Sequence, residues 1–423
     1  MSASDLAKFK SWASVPSPRF IGGNQVDLLR GGDELFPRMR AAIDQARSEV
    51  WLASYIFHDD PAANAMAMAL CSAAARGVDV HVVVDGFGSR TTLAAVRDLF
   101  AGSGVQVEVF RPLDRWYSWL QPGQLRRMHH KLCVCDMAVA FVGGINIIDD
   151  RHDPNHGWSD APRLDFAVQL SGPLAQSVHD TARAMWARAH MARAWRREIK
   201  ALARSEHPVA ETIDLVRQMR SRSSQGTEPA VVPVRAAFLV RDNLRQRRTI
   251  ERSYVEAIRR SRVRVDIAVP YFYPGRSFRR VLRASAKRGV QVRLLLQGRI
   301  DYRIAAMAAR ALYDELRGHG VRIYEYTPAF LHAKVAVVDG EWATVGSSNI
   351  DPLSLLLNLE ANVMVRDTGF AAALTAQFEQ AYAVATEVMP VSSGRGWRSW
   401  LNRGAVAWIA NVYMRVAGIT GRY

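Results

Sequence analysis

The sequence contains few cysteines, few lysines and no long apolar run. Three cysteines, Cys71, Cys133 and Cys135, are too few for a disulfide framework and fit a reducing compartment. Residues 1–20 carry charges and prolines instead of an apolar core, so we expect no signal peptide. The longest apolar stretches, residues 137–148 and 404–414, fall short of the about 18 residues that a membrane-spanning helix needs. If the protein meets a membrane, we expect it to lie on the surface.

The scarcity of cysteine also limits metal chemistry. His129, His130, Cys133 and Cys135 lie close together in the sequence, but no second ligand pair follows at the spacing of a zinc site. The two last residues alternate on a predicted strand, so they should face one side as small apolar residues. We therefore expect no bound metal and no cofactor.

Acidic residues are few relative to basic ones. The chain of 423 residues has 56 Lys+Arg, only 6 of them Lys, against 40 Asp+Glu, and its formal net charge is +16. Hydrophobic residues make up 49%, which excludes wholesale disorder, and the length favours two or three domains. The positive charge implies an anionic partner, either nucleic acid or a phospholipid surface.

The sequence repeats itself at long range. Residues 74–86 (AARGVDVHVVVDG) parallel 286–298 (AKRGVQVRLLLQG), and residues 104–110 parallel 320–326. In the first of these repeats, each copy has the pattern of a helix end, a glycine cap and a strand buried on both faces. This pattern predicts two α/β lobes with helices covering a largely parallel sheet. We place the first lobe at residues 1–205, a linker at 206–231, the second lobe at 232–388 and an amphipathic tail, rich in aromatics and arginine, at 389–423.

Two copies of one motif, H-x-K-x4-D-x6-G-[GS]-x-N, lie at corresponding points of the repeat. The first runs from His129 to Asn146 and the second from His332 to Asn349. With 11 His and 6 Lys in 423 residues, chance predicts 11 × 6/423, or about 0.16, H-x-K tripeptides. The duplicated motif is therefore a specific signal, and a role confined to loop hydrogen bonds at strand ends is the weaker interpretation.

The motif predicts metal-free phosphoryl chemistry. Side chains at positions i and i+2 of a strand point to one face, so each His and Lys should project together. If the lobes pack about a pseudo-twofold axis, both pairs and the two Asn converge on one pocket. The Lys and Asn side chains supply hydrogen-bond donors for phosphate oxygens without a metal. One imidazole can attack phosphorus while the other protonates the leaving alkoxide.

On these residues the chain resembles the phospholipase D superfamily, from about residue 24 to residue 388. Residues 143–146 and 345–363 look most like bacterial cardiolipin synthases, nearest to type B. The resemblance implies two tandem α/β/α sandwich lobes related by a pseudo-twofold axis, one shared active site and no metal. It implies transfer of a phosphatidyl group through a phosphohistidine, from phosphatidylglycerol to cardiolipin plus glycerol. It also implies a peripheral protein on the cytoplasmic face of the bacterial inner membrane.

The resemblance assigns functional residues position by position. The catalytic set is His129, Lys131, Asp136, His332, Lys334 and Asp339. The substrate-binding set is Asn146, Asn349, Ser347, Gly143 and Gly346. By the superfamily's usual order His129 is the nucleophile and His332 the general acid/base. One departure is Gly144, where the superfamily often has Ser: the second lobe keeps a hydroxyl as Ser347, so the two halves of the site should differ in function.

Two acids follow the motifs at equivalent places. Asp165 and Glu360 each open an apolar strand, and a buried acid there costs free energy unless it has a partner. The natural partner is an imidazole Nδ1–H, so we expect these acids to orient the histidines. The resemblance agrees for Glu360, and the repeat implies the same for Asp165. A solvent-exposed acid at each strand start is the alternative.

One segment differs in length between the lobes. Eighteen residues, 111–128, precede His129, whereas five, 327–331, precede His332. The longer segment contains Trp116 and Trp119 together with Arg126 and Arg127, a mixture that suits the headgroup layer of a membrane. Residues 397–423 repeat the mixture. Internal packing, as a lid over the pocket or a docked helix, is the alternative for both segments.

Four functions are compatible with these features. A phosphatidyltransferase that makes cardiolipin is the first, with phosphatidylglycerol and cardiolipin as its lipid partners. A phospholipase D-type hydrolase would use the same intermediate with water as acceptor. A metal-independent nuclease suits the charge, but it leaves the apolar features unused, so we expect no nucleic acid partner. A non-catalytic binding module is weakest, because both motifs are intact. The oligomeric state and the lipid donor and acceptor stay open.

Overall fold

The computed structural model describes residues 19–113, 126–202, 234–241, 248–299, 309–310, 312–351, 354 and 358–389, with side chains in the long helix described as far as residue 192. Each lobe has one main sheet flanked by helices, and the first lobe adds a separate two-stranded sheet. The strands of the first lobe are β1 (Gln25–Arg30), β2 (Glu49–Ser54), β3 (Asp79–Asp85), β4 (Gln106–Phe110), β5 (Leu132–Cys135), β6 (Val139–Gly143), β7 (His152–Asp153), β8 (Gly157–Trp158) and β9 (Phe166–Ser171). Its helices are α1 (Gly31–Gln45), α2 (Pro61–Ala75), α3 (Leu93–Leu99) and α4 (Pro173–Leu202).

The second lobe has the same organisation. Its strands are β10 (Arg235–Arg241), β11 (Arg264–Val269), β12 (Gln291–Gln297), β13 (Arg322–Tyr326), β14 (Val335–Val338), β15 (Trp342–Gly346), β16 (Glu360–Arg366) and β17 (Thr386–Glu387). Its helices are α5 (Thr249–Arg260), α6 (Arg276–Lys287), α7 (Tyr313–Arg317) and α8 (Thr368–Val384). The linker at 206–231 and nearly all of the predicted tail lie outside the described residues.

Strand order confirms two related α/β lobes. It is β1-β9-β6-β5-β2-β3-β4 in the first sheet and β10-β16-β15-β14-β11-β12-β13-β17 in the second. The expectation of largely parallel sheets was wrong: only β2-β3-β4 and β11-β12-β13 pair in parallel, and the other neighbours are antiparallel. The reason is local, because β5 and β6, like β14 and β15, are hairpins whose turns are too short for a parallel crossover.

Three apolar clusters cover both faces of the sheets. The central one joins the lobes, with Val134 from the first sheet and Leu374 from helix α8 among its members. Leu70 lies in the outer cluster of the first lobe, and Leu282 and Leu294 lie in that of the second. Burial on both faces explains the continuous apolar runs that the sequence repeat showed. It also fixes the lobes against each other, which places the two motifs at one junction.

Candidate active site

The two lobes exchange backbone hydrogen bonds at the motifs. The N–H of His129 donates to the carbonyl of Leu359 over 2.9 Å, and the N–H of His332 donates to the carbonyl of Leu164 over 2.9 Å. Leu164 directly precedes Asp165, which lies just before β9, and Leu359 directly precedes Glu360, the first residue of β16. Each histidine therefore lies beside the acid of the opposite lobe, not beside the acid of its own.

The imidazole–carboxylate pairs cross between the lobes. His129 Nδ1 lies 3.0 Å from Glu360 Oε2, and His332 Nδ1 lies 2.6 Å from Asp165 Oδ2. Both acids are almost completely buried, and besides the histidine each has one further partner: the N–H of Phe166 for Asp165 and the hydroxyl of Ser347 for Glu360. Donation of Nδ1–H to the carboxylate fixes the tautomer and leaves Nε2 with a lone pair. The alternative of solvent-exposed acids is thus wrong for both.

Each motif lysine is hydrogen-bonded to the backbone of the histidine two residues before it. The Nζ of Lys131 donates to the carbonyl of His129 over 2.9 Å, and Lys334 makes the same bond to His332. These residues lie just before β5 and β14, not within the strands. Burial lowers the pKa of both His129 and Lys131, and the charge of Lys334 from the other lobe lowers both further, so the two motifs share one electrostatic environment. The geometry thus brings both lysines and both imidazoles to the junction of the two lobes.

The motif aspartates lie at the other end of the hairpins. Asp136 accepts hydrogen bonds from the backbone N–H groups of Arg47, Ser48 and Glu49, where β2 begins, and Asp339 does the same where β11 begins. Strand β5 separates Asp136 from His129, a distance of about 13 Å for four residues. Both aspartates also adopt positive φ, 51° and 54°, in the hairpin turns. The structure therefore does not bring them to the histidines, and their contacts clamp the sheet.

The two motif glycines expected at the substrate instead allow strands to approach closely. A Cβ on Gly143 would lie 2.5 Å from Ala167 Cβ, and one on Gly346 would lie 2.3 Å from Asn362 Cγ. Since neither position has room for a side chain, these glycines serve the packing of β6 on β9 and of β15 on β16. Their expected role in substrate binding has no support in this geometry.

The two motif asparagines occupy different surroundings. Asn146 Oδ1 accepts the N–H of Ile56 over 3.2 Å, which ties the motif to the loop after β2. Asn349 is buried, and its Oδ1 has no hydrogen-bond partner among the described residues. A buried polar atom without a partner costs free energy, so this amide is suited to a polar ligand.

The two halves of the site differ at Gly144 and Ser347. Ser347 Oγ donates to Glu360 Oε2 over 2.5 Å. In the first lobe a Cβ on Gly144 would lie 2.4 Å from Asp165 Oδ1, so the acid occupies the space of the missing side chain. The first lobe thus has Asp165 beside Gly144 where the second lobe has the longer Glu360 beside Ser347. The departure from the superfamily pattern has a steric basis.

Sequence reasoning missed two supports of the histidines. Asp85, buried at the end of β3, accepts the N–H of Met128 over 2.9 Å, and Gln297 at the end of β12 accepts the N–H of Leu331 over 2.8 Å. Each therefore holds the residue that precedes a motif histidine. The repeat itself carried the signal, because Asp85 and Gln297 are aligned in it. Tyr55 was missed too: its ring lies 4.9 Å from that of His129.

The residues expected to touch a membrane are only partly described. Trp116 and Trp119 lie outside the described residues. Arg127 is 9% exposed, and its Nη1 donates to the carbonyl of Arg111 and lies 3.7 Å from Asp85 Oδ1. The expected membrane contact is therefore not available to Arg127, because its guanidinium packs inside the lobe. Arg126 is half-buried, and its carbonyl accepts a hydrogen bond from Arg111.

Burial dominates the titration of the site. It lowers the pKa of Lys131 to about 7 and that of Lys334 to about 8. It lowers the pKa of His332 well below its usual value, with Lys334 adding to the effect, and raises that of Asp165 to about 6. Burial alone would raise the pKa of Glu360, but contacts with His129, Lys131 and Ser347 together lower it.

These shifts predict an alkaline limit to activity. A lysine must be charged to bind phosphate, and Lys131, with its pKa at about 7, loses its charge as pH rises through that value. We expect kcat/KM, which reports the free enzyme, to fall on the alkaline side from about pH 7. Arginine stays protonated, so Lys131→Arg should move this limb toward about 8, where Lys334 titrates. An unchanged limb in Lys131→Arg would show that another group controls it.

Two α/β lobes with this strand order, which meet where each contributes a His/Lys pair, form a phospholipase D-type fold. The solved phosphatidylserine synthase of Haemophilus influenzae Rd KW20 shares it, with a TM-score of 0.65 at 11% identity over 97% of this chain and 98% of that one. The family described as "Cardiolipin synthase, PLD-like domain" matches residues 39–157 and 254–382. The chain belongs to this cardiolipin synthase family of the phospholipase D superfamily.

Curated relatives of the chain belong to the same family. The chain is 35% identical over 360 residues to cardiolipin synthase B of Escherichia coli (strain K12), covering 82% of this chain and 78% of the relative. It is 30% identical over 381 residues to cardiolipin synthase A of Pseudomonas putida (strain GB-1), covering 87% and 71%. The protein is therefore an enzyme of the phosphatidyltransferase class within the superfamily.

Proposed function

We propose that the protein makes cardiolipin, transferring a phosphatidyl group from one phosphatidylglycerol to another and releasing glycerol. The observation that carries the proposal is the crossed arrangement of two His–carboxylate pairs with two buried lysines at one junction. The relatives, named cardiolipin synthases, support the lipid assignment. The positive charge of the chain suits anionic lipids.

The proposed reaction has two displacements at phosphorus. His129 Nε2 attacks the donor phosphodiester, a P–N bond forms, and the P–O bond to glycerol breaks as His332 gives its proton to the leaving oxygen. His332 then takes the proton of the hydroxyl of a second phosphatidylglycerol, whose oxygen attacks phosphorus and frees His129. Lys131 and Lys334 stabilise the charge that builds on the phosphoryl oxygens.

The negative charge of the bound substrate favours protonation of His332. Without an anion, burial and Lys334 hold the pKa of His332 well below its usual value. A phosphodiester placed between the lysines supplies negative charge beside the ring and favours the imidazolium. Asp165 then stabilises that charge through Nδ1–H. Substrate binding thus prepares the general acid.

The decisive experiment separates transfer from hydrolysis. Vesicles of radiolabelled phosphatidylglycerol should yield labelled cardiolipin, and added glycerol should reduce the yield by reversing the reaction. Phosphatidic acid as the main product would establish the hydrolase instead. Turnover of phosphatidylethanolamine in mixed vesicles would widen the donor range. A nuclease is less well supported, and cleavage of DNA without lipid turnover would favour it.

We also propose that the enzyme works as a peripheral protein on the cytoplasmic face of the bacterial inner membrane. Among the helices of the described residues, none is long and apolar enough to cross a bilayer. Phe87, in the loop after β3, is 51% exposed and lies under the guanidinium of Arg127, with ring centroid and Cζ 5.3 Å apart. An exposed aromatic ring next to an arginine side chain suits the headgroup layer of a membrane.

The chemistry should not depend on a metal. The charge required for phosphoryl transfer is present in Lys131 and Lys334, so turnover should survive millimolar EDTA at temperatures well below unfolding. The measurement is cardiolipin formed per minute with and without chelator. Complete loss that Mg²⁺ restores would contradict the mechanism, because Mg²⁺ is the ion that would take the place of the lysines at the phosphoryl oxygens.

A further inference from the structure

A second cluster of chemically active side chains lies on the first lobe, outside the His/Lys pocket. His58, Asp60 and His152 bring their ligand-type atoms within 4.8 Å of one another. Asp60 Oδ2 lies 3.3 Å from His152 Nδ1 and 3.9 Å from His58 Nδ1. Since Zn²⁺ bonds nitrogen and oxygen at about 2.0–2.2 Å, the ligand atoms of a tetrahedral site lie about 3.3–3.5 Å apart. The cluster is close to that spacing.

The carboxylate of this cluster is fixed by its neighbours. Asp60 is 5% exposed, its Oδ1 accepts the N–H of Ala63 over 3.0 Å, and its Oδ2 accepts the N–H of Asp149 over 2.8 Å. Metal-binding carboxylates are commonly held by such hydrogen bonds, which aim the remaining lone pairs. Asp60 is thus oriented toward the two imidazoles before any ion arrives.

The two histidines are presented by different elements. His152 belongs to the hairpin of β7 and β8, and its ring stacks on Trp158 with centroids 4.8 Å apart. His58 follows β2, and its buried Nδ1 has no hydrogen-bond partner among the described residues. The Asp59 carboxylate lies 2.8 Å from this nitrogen but outside hydrogen-bonding geometry. This nitrogen therefore faces two carboxylates, those of Asp59 and Asp60, and makes a hydrogen bond to neither.

The second lobe shows that the fold does not require these residues. The N–H of His58 donates to Ile147 and that of Tyr273 donates to Ile350, so Tyr273 occupies the equivalent place. Gly275 precedes helix α6 as Asp60 precedes helix α2. One lobe thus builds the same loop and helix start with no metal ligand at either position. Asp60 caps helix α2 through the N–H of Ala63, which accounts for an aspartate at that position but not for the two histidines beside it.

We propose that His58, Asp60 and His152 bind one Zn²⁺-type ion, with water completing its coordination. Two imidazoles and one carboxylate suit zinc-like ions, whereas Mg²⁺ and Ca²⁺ prefer oxygen ligands alone. The ion would tie the loop after β2 to the β7–β8 hairpin. That loop begins with Tyr55, whose ring contacts His129, so the ion braces one wall of the catalytic pocket without touching the reacting phosphate. This departs from the sequence expectation of no metal, and it does not depend on the proposed lipid reaction.

The test measures metal binding directly. Full-length protein stripped with chelator is titrated with Zn²⁺ by calorimetry and with Co²⁺ by visible absorption. We expect one ion per chain and a rise in Tm on binding, because the ion binds only the folded state. His152→Gln and His58→Tyr, which copies Tyr273, should both lose saturable binding. His156→Gln is the matched control, since His156 lies in the same hairpin and pairs with Asp153.

The outcomes separate the cluster from adventitious binding. Absence of saturable binding to the unmodified chain would overturn the proposal, as would equal binding by all variants, which would place the ion on other histidines. Circular dichroism checks that each variant is folded, and His58→Tyr keeps the test valid because the other lobe tolerates tyrosine there. Cardiolipin formation is not a readout, so failure of the proposed reaction would leave this result intact.

Discussion

Replacing His129 with alanine should reduce turnover by about 10⁴-fold or more, since losing one member of a cooperating catalytic unit removes most of its rate. His332→Ala should cost a similar factor, because its imidazole is the proposed proton donor to the leaving oxygen. His130→Ala is the matched control: His130 is the neighbouring residue, and the second lobe has Ala333 at the equivalent place. We expect His130→Ala to stay within a few-fold of the unmodified enzyme.

The same pair of variants tests the division of labour. A covalent intermediate trapped with phosphatidylglycerol and digested should carry phosphate on the peptide that contains His129. His332→Ala should retain the ability to be labelled with a donor whose leaving group needs no proton, whereas His129→Ala should not. Label on the His332 peptide would reverse the two roles. Absence of label with normal turnover would remove the phosphohistidine from the mechanism.

Replacing Gly144 with serine should reduce kcat by about 10²-fold, the cost of moving a catalytic group by about an ångström. The new Cβ would lie 2.4 Å from Asp165 Oδ1, so the carboxylate must move away from His332 Nδ1. The effect should appear in kcat and in the pH profile, with little change in Tm. Gly22→Ser is the control, because no atom lies within 4 Å of a Cβ built there.

A double variant makes this prediction specific. Gly144→Ser with Asp165→Glu reproduces the arrangement of Ser347 and Glu360 in the second lobe, where a hydroxyl donates to a longer acid. We expect it to recover most of the activity that Gly144→Ser loses. If the double variant is as inactive as the single one, the loss does not come from displacement of Asp165.

Much of the fold and of the site could be predicted from the sequence. The repeat of residues 74–86 at 286–298 predicts two related lobes, because a buried strand and its glycine cap are encoded by neighbouring residues. The duplicated His/Lys motif identifies the histidines and lysines of the site, since the spacing within each copy is local, whereas the single shared site is what the resemblance to the superfamily implies. The mixed character of the sheets was missed. It comes from the hairpin turns at Asp136 and Asp339, whose positive φ is seen only in the structure.

Only the tertiary structure decides which residues meet. Glu360 lies 231 positions from His129, and Asp165 lies 167 positions from His332, so the crossing of the pairs depends on how the lobes pack. The four-residue strands β5 and β14 separate the motif aspartates from the histidines, and this separation follows from each strand alone. Local sequence spacing sets which way a side chain points along its own strand, whereas the burial of apolar faces between the lobes sets what lies opposite.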